Sequence, residues 1–187
     1  MSWPREAGGN TPAGASDASR SHRDTTGGRG SSPHFVYVLA LLFTPDRQRV
    51  VLMRKTRPAW QAGRVNALGG KLLPGESAAA AASREVREEA GVEVPEEAWW
   101  ECLVWHDPVY RMHVLRAFHD AAGRAHTAED QEVFLAAVDE LPEESLDNLR
   151  WLIPLALDRE VALPIEVRSA APEGSGLTEP PPTQVSG

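Results

Sequence analysis

The sequence predicts an α/β protein of the α+β type, folded as an α/β/α sandwich around a mixed β-sheet. Three observations support this prediction: several short apolar segments have the length of strands, an alanine-rich helix stands between them, and a second helical pattern follows them. A sheet with one helix inserted midway and another after it can bury both of its faces, because each helix covers one side.

The strands are predicted from apolar runs that turn residues separate. The run FVYVLALLF, residues 35–43, has the length of a buried strand, and VVLMR follows it after the turn TPDRQR. These two segments predict a hairpin. Residues 55–76 contain four glycines and two prolines, which predicts a long loop with short strands in it. Further along, WWECLVWHD and VYRMHVLRAFH predict a second hairpin, and EVFLAAV predicts another strand.

Two helices complete the predicted fold. The first begins after Ser77, a favourable N-cap, and continues through a run of alanines to Ala90. Gly91 follows, and glycine suits the left-handed conformation that ends many helices. The second helix is predicted over PEESLDNLRWLIPLALD, residues 142–158, with Pro154 expected to kink or restart it.

The ends of the chain differ from its middle. Residues 1–33 and 169–187 are rich in small and turn-forming residues without apolar periodicity, so we expect two disordered tails around one folded domain, residues 34–168.

No apolar run reaches the roughly 18 residues of a membrane span, so no membrane association is expected. A net charge of -8 offers no basic stripe for a stable nucleic-acid partner. Cys102 is the only cysteine, which excludes an internal disulfide and favours a cytoplasmic location. The sequence is compatible with a monomer or a homodimer.

Three glutamates gather on one face of the first predicted helix. Each helical residue advances by about 100°, which places Glu88 and Glu89 within about 60° of Glu85. Like charges at these spacings destabilise a helix unless a cation lies over them, and Mg²⁺ prefers oxygen ligands of this kind. The alternative interpretation is a solvated helix end in which Arg84 and Glu88 form an i, i+4 ion pair.

The spacing of residues over a longer window decides between these interpretations. The fixed positions are Gly70, Glu76, Arg84, Glu85, Glu88, Glu89 and Gly91. This complete pattern, with apolar residues at 86 and 92, resembles the Nudix box of the Nudix hydrolases. The resemblance implies a Nudix-like fold and hydrolysis of a nucleoside diphosphate linked to another group, with Mg²⁺ or Mn²⁺ as the cofactor.

The same resemblance implies roles for individual residues. The implied metal ligands are Glu85, Glu88, Glu89 and the carbonyl of Gly69 or Gly70. The implied catalytic residues are Glu85, Arg84 and Glu88. Glu85 is the leading candidate for the base that activates water, and Arg84 would orient it. Glu76 would support the loop and the helix from behind the metal ligands.

Two segments outside the box resemble mutator-type triphosphatases, which remove oxidised purine nucleotides. In AWQAGRVNALGGKL, Asn66 occupies the place of an asparagine that contacts the base. The segment LDNLRWLIPLAL resembles a closing helix in which two adjacent acids and an aromatic residue read the base. Here Asn148 follows Asp147, so the acid pair is incomplete, and Trp151 is the aromatic residue. The structural alternatives are that Asn66 braces a turn and that Trp151 belongs to the core.

Charged residues near the box complete the set of candidates. Lys71, Lys55 and Arg54 are the basic groups nearest to the glycines, where they could contact phosphate or be ordinary surface charges. Among the acids of TAEDQE, Glu132 is favoured as an additional ligand or base, and solvation explains it equally well.

Three functions stay open. A nucleoside triphosphate pyrophosphohydrolase is favoured over a nucleotide-sugar or dinucleoside polyphosphate hydrolase and over a non-catalytic nucleotide-binding regulator. In each case the partner is a small nucleotide.

Overall fold

The computed structural model describes residues 35–169. Its strands and α-helices are β1 Phe35–Phe43, β2 Arg49–Arg54, β3 Val65–Ala67, α1 Ala78–Ala90, β4 Trp100–His106, β5 Tyr110–Phe118, β6 Val133–Ala137, α2 Leu149–Leu157 and β7 Ile165–Arg168. The predicted tails, residues 1–33 and 170–187, lie outside the described residues. Ser169, the first residue of the predicted C-terminal tail, is described, and its N–H donates to the His106 carbonyl at 3.0 Å.

The strands form one mixed sheet in the order β3-β2-β1-β5-β4-β7, and β6 also pairs with β2. The pairs β1–β5 and β4–β7 are parallel, whereas β1–β2, β2–β3, β2–β6 and β4–β5 are antiparallel. Both predicted hairpins are therefore present, and the predicted α+β class with a mixed sheet is confirmed.

The two faces of the sheet pack against different helices, as the alternation of side chains in β1 illustrates. Val38, Ala40 and Leu42 belong to the core that contains the apolar residues of α1. The intervening Leu39 and Leu41 belong to the core that contains those of α2. Since successive side chains of a strand point to opposite faces, this alternation produces the predicted α/β/α sandwich. Neither α-helix in the described part of the chain is long and apolar enough to cross a membrane.

Helix α1 has the boundaries that its capping residues predict. The Ala80 N–H donates to the Ser77 hydroxyl at 3.0 Å, which satisfies one of the free donors of the first turn. Gly91 ends the helix in the left-handed conformation, with φ of 64°. Ala82, Val86 and other small residues are buried against the sheet, so the helix approaches the strands closely.

The start of α2 differs from the prediction. The helix begins at Leu149 instead of at residue 142, because the backbone before it pairs with β3. The Val65 N–H donates to the Glu144 carbonyl at 3.0 Å, and the Leu146 N–H donates to the Val65 carbonyl at 2.9 Å. The Arg64 guanidinium also donates to the Glu144 carbonyl. These long-range hydrogen bonds hold two turns and an isolated bridge between Ser145 and Val65 where the local pattern favours a helix.

Two further features of the C-terminal part were not predicted. Helix α2 runs through Pro154 without a break, so the proline forfeits one hydrogen bond to a first-turn carbonyl without ending the helix. Strand β7 has no counterpart in the sequence analysis. It pairs in parallel with β4 at the edge of the sheet, and its residues are at most half-buried. A short, largely exposed strand has little hydrophobic pattern by which to recognise it.

Candidate active site

A glycine turn, residues 68–72, connects the sheet to the acidic helix. The turn runs beside β1 as a strand-like segment: the Val38 N–H donates to the Gly70 carbonyl at 2.9 Å. Two residues further along β1, the Ala40 N–H donates to the Leu68 carbonyl at 2.8 Å. The turn therefore has a fixed position relative to β1, and α1 packs against the same strand.

Both glycines of the turn are required by close contacts. A Cβ atom on Gly70 would overlap the carboxylate of Glu85, so the absence of a side chain lets this carboxylate lie directly against the turn. Gly69 has φ of 139°, and a Cβ atom there would overlap the carbonyl of Val38. Glycine readily adopts such a conformation, whereas other residues do so only with strain. The turn and the acidic face of α1 thus form one closely packed unit.

Glu89 is the most buried acid of this unit, with a relative exposure of 7%. Its Oε2 accepts a hydrogen bond from the Gly69 N–H at 2.9 Å. Burial raises the pKa of Glu89 to about 7; the Gly69 hydrogen bond and the charge of Lys55 oppose this shift, whereas Glu85 and Glu129 add to it. A buried carboxyl surrounded by other acids resists ionisation, because its charge is poorly solvated and repelled.

Arg84 links the remaining acids. Its guanidinium forms a two-pronged ion pair with Glu76, with Nε–Oε1 and Nη2–Oε2 distances of 2.9 and 3.1 Å. Nη1 contacts Glu85 at 2.8 Å and Glu88 at 3.1 Å. Nη2 also donates to the Lys71 carbonyl, so the same side chain reaches the glycine turn. The planar guanidinium, with five donors, can make this set of contacts, whereas the single ammonium of a lysine cannot.

The pKa shifts in this network follow from burial and from Arg84. Burial raises the pKa of Glu85, and the hydrogen bond and charge of Arg84 reduce that rise. The hydrogen bond from Arg84 holds the pKa of Glu76 below its ordinary value. The pKa of Arg84 is raised in turn, chiefly by Glu76. Glu76 therefore ionises more readily than an ordinary glutamate and anchors the arginine, while Glu85 lies in a less favourable place for charge.

The oxygen atoms around the glycine turn are of the chemical type that a hard divalent cation binds. Glu85, Glu88 and Glu89 offer carboxylate oxygens, and the turn offers backbone carbonyls, which are the ligands that Mg²⁺ accepts. Among residues 35–169, no group of three or more His, Cys, Asp or Glu side chains is close enough to hold a metal ion in common. Glu88 is directed to Arg84, and Glu89 is directed to Gly69. The three acids are therefore close in the chain, but each accepts a hydrogen bond from a protein group: Glu85 and Glu88 from Arg84, and Glu89 from Gly69.

Three of the candidate substrate residues lie near this unit. The charge of Lys55 acts on Glu89, and its Nζ contacts the Met53 sulfur at 3.3 Å. Asn66 pairs with Met53 across β2 and β3, and its Oδ1 accepts from the adjacent Ala67 N–H. The Lys71 ammonium lies 4.7 Å from the centre of the Phe35 ring, beside the glycine turn.

Trp151 and Asp147 lie at the other helix, on the opposite face of the sheet from α1. Trp151 is 40% exposed, and its ring lies 5.9 Å from that of Trp105. The Asp147 side chain is 97% exposed, with a carboxylate oxygen 3.7 Å from the Arg64 guanidinium. Trp151 is therefore neither a fully buried core residue nor an isolated surface one.

The segment before α2 holds two polar groups that sequence reasoning did not single out in this way. The Asn148 Oδ1 and the Ser145 Oγ are buried without a hydrogen-bond partner. Asn148 is the N-cap of α2, yet its side chain makes no capping hydrogen bond. Unpaired buried polar groups are uncommon in folded proteins. Their presence could not be read from the sequence, because it depends on how the segment packs against β3.

Glu132 does not join the acidic unit. Its carboxylate pairs with the Arg54 Nε at 3.1 Å, and both side chains are more than one-third exposed. In the same loop, Glu129 is the acid whose charge acts on Glu89. The sequence analysis also missed Gln131, which is 5% exposed and whose Oε1 accepts from the Thr56 N–H at 3.2 Å. A buried glutamine carries no local signal, because its partner lies far away in the chain.

Comparison with known proteins identifies relatives of this arrangement. The family model of the NUDIX domain matches residues 33–160. Among curated protein sequences, none matches the chain.

Several solved structures share the fold. The MutT NUDIX hydrolase from Burkholderia pseudomallei is 22% identical over 67% of this chain and 98% of its own, with a TM-score of 0.55. A MutT from a study of Aliivibrio salmonicida and Vibrio cholerae is 21% identical over 64% of this chain and 96% of its own, with a TM-score of 0.51. The mutator MutT protein from Bacillus halodurans is 18% identical over 64% of this chain and 80% of its own, with a TM-score of 0.51. Identities this low establish likeness of fold.

Proposed function

We propose that this chain, which belongs to the Nudix family of pyrophosphohydrolases, hydrolyses a nucleoside triphosphate or its oxidised form to the monophosphate and pyrophosphate. The proposed cofactor is Mg²⁺ or Mn²⁺. The observation that carries the proposal is the contact of the Glu85 carboxylate with Gly70, beside Glu89 on Gly69. Acids from a helix lie against a backbone segment whose carbonyls are of the kind that bind a metal together with phosphate, although the three carboxylates are not gathered around one point in this arrangement.

The metal would be held by Glu85, Glu88 and Glu89, with a carbonyl of Gly69 or Gly70. When bound, a divalent cation neutralises phosphate charge and makes a water molecule more acidic. The side chains of the protein supply the rest. Glu85 would take the proton from the attacking water, since its burial makes it a better base than an exposed carboxylate. Arg84 would keep Glu85 in position, because Glu76 fixes the arginine from the other side.

The surface at Trp151 supports a nucleotide as the substrate. The exposed ring of Trp151 beside Trp105 is a surface on which a base can stack. The similar solved structures are MutT proteins, which agrees with the resemblance of the segments around Asn66 and Trp151 to mutator-type enzymes.

The finer proposals concern substrate contacts and organisation. Asn66 and Asp147 are proposed to contact the base, and Lys55 and Lys71 the phosphates; Glu132 is the weakest of the proposed acids because Arg54 already pairs with it. We take residues 34–168 as the catalytic domain of a cytoplasmic enzyme that acts as a monomer or a homodimer.

A substrate panel tests the proposal. Purified protein is incubated with normal and 8-oxo purine nucleoside triphosphates, a nucleotide sugar and a dinucleoside polyphosphate, each with Mg²⁺, Mn²⁺ or excess chelator. We expect monophosphate and pyrophosphate from a triphosphate, and no turnover in chelator. Release of nucleoside diphosphate and inorganic phosphate would contradict the assigned bond. Nucleotide binding in the presence of metal, without any product from the panel, would favour a non-catalytic regulator.

A further inference from the structure

The loop of residues 125–132 lies between the end of α1 and the segment that follows β2, and it is hydrogen-bonded to both. The Ala128 N–H donates to the carbonyl of Glu89 at 3.1 Å, and the His126 N–H donates to the carbonyl of Ala90 at the same distance. These two hydrogen bonds satisfy carbonyls of the last turn, which have no partner within the helix. The loop is thus bonded directly to the residue that carries the most buried acid of the site.

The other end of the loop is bonded to the segment that carries Lys55. The Oε1 of Gln131 accepts the Thr56 N–H at 3.2 Å, and Thr56 directly follows Lys55. Gln131 is 5% exposed, and an amide is buried without a penalty only if it is hydrogen-bonded. Within the loop, the Thr127 Oγ1 accepts the Val133 N–H at 2.9 Å, which closes the loop against β6.

Lys55 is held by its backbone and by its side chain. Its N–H donates to the Arg64 carbonyl, and its carbonyl accepts the Gly63 N–H, each at 2.8 Å. Its ammonium lies beside the buried Met53 sulfur, on the α1 side of the sheet. The charge of Lys55 acts on Glu89, which fits this location. Lys55 is thus a cation on the same side of the sheet as α1, and its neighbour Thr56 is anchored by Gln131.

We propose that Gln131 is a positioning residue for the segment that carries Lys55, whose ammonium, on the α1 side of the sheet, binds the anionic phosphates of the substrate. The loop acts as a spacer: one end is fixed to the backbone of Glu89 and the other to the backbone beside Lys55. This inference rests on the proposed triphosphate hydrolysis and adds a residue that does not itself touch the substrate.

A double-mutant cycle tests the proposal through steady-state kinetics with the best triphosphate of the panel. Lys55→Met removes the ammonium and should raise KM about tenfold with little change in kcat, as for loss of one charged contact. Gln131→Met removes the acceptor at nearly constant volume and should raise KM several-fold in the same way. In the Lys55→Met background, Gln131→Met should change KM by less than about twofold, because residues that act through one contact are not additive.

Two further variants complete the design. Gln48→Met makes the same chemical change at an exposed position in the β1–β2 turn and should leave kcat and KM unchanged. Thr127→Val loosens the loop without altering Gln131, so it should raise KM in the native background and be silent with Lys55→Met. If Gln131→Met does not fold, as judged by circular dichroism, the Thr127→Val cycle replaces it.

The outcomes separate this inference from the proposed function. Multiplicative effects of the two substitutions, or a wild-type KM for Gln131→Met, would overturn the role of Gln131 while triphosphate hydrolysis stands. A wild-type protein without turnover on every triphosphate would overturn the proposed function itself.

Discussion

The contact between Gly70 and Glu85 leads to a sharp expectation for the substitution Gly70→Ala. Gly70 does not have a positive φ, so the backbone tolerates alanine, and the three atoms nearest to the new methyl group all belong to the end of the Glu85 side chain. That carboxylate must retreat by about 1 Å to reach an ordinary contact distance. A displacement of this size at a reacting group can lower the rate by about 100-fold. We expect kcat to fall by about that factor while the melting temperature changes little.

Two matched glycine substitutions make this experiment decisive. Gly69→Ala places a methyl group against the rigid Val38 carbonyl at a φ of 139°. Such strain costs on the order of 1–3 kcal/mol or more, which lowers the melting temperature by several degrees. Gly123→Ala meets nothing within 4 Å and should alter neither property. Full activity of Gly70→Ala, or a loss of activity that only follows a loss of stability, would refute the close packing of Glu85 on the turn.

The remaining expectations concern the acids, the arginine and the cysteine. Glu85→Gln and Glu89→Gln should each lower turnover at least ~100-fold with the fold intact, as circular dichroism and kinetics together would reveal; near-normal turnover in either would remove that acid from the mechanism. Arg84→Lys should lower kcat by about 10- to 100-fold and weaken the coupling to Glu76, because an ammonium cannot reproduce the two-pronged pair; equal rates for arginine and lysine would show that charge alone suffices. Cys102 should not react with a thiol reagent at pH 8 until the protein unfolds, because burial raises its pKa to about 11. As the thiol ionises more readily in the unfolded chain, stability should decline as pH rises above about 8.5, and the decline between about pH 8.5 and 10 should be smaller in Cys102→Ala.

Local sequence signals predicted those parts of the fold that depend on neighbours in the chain. The Ser77 and Gly91 caps bound α1 because each acts on backbone groups a few residues away. The alternation of β1 fills both cores because its period is a property of the extended chain. Helix α2 was extended too far, since the pattern after residue 142 does not reveal that Val65 and Arg64 take up the backbone there.

The candidate site divides in the same way. The amino-acid sequence by itself determined that Glu85, Glu88 and Glu89 share a helical face next to a pair of glycines, because helical geometry and close spacing suffice for that. Only the tertiary structure decided that Glu89 is buried, that the Lys55 side chain lies on the α1 side of the sheet and that Gln131 anchors the backbone next to Lys55. Burial and long-range hydrogen bonds arise when distant segments meet, and no spacing along the chain encodes where they do so.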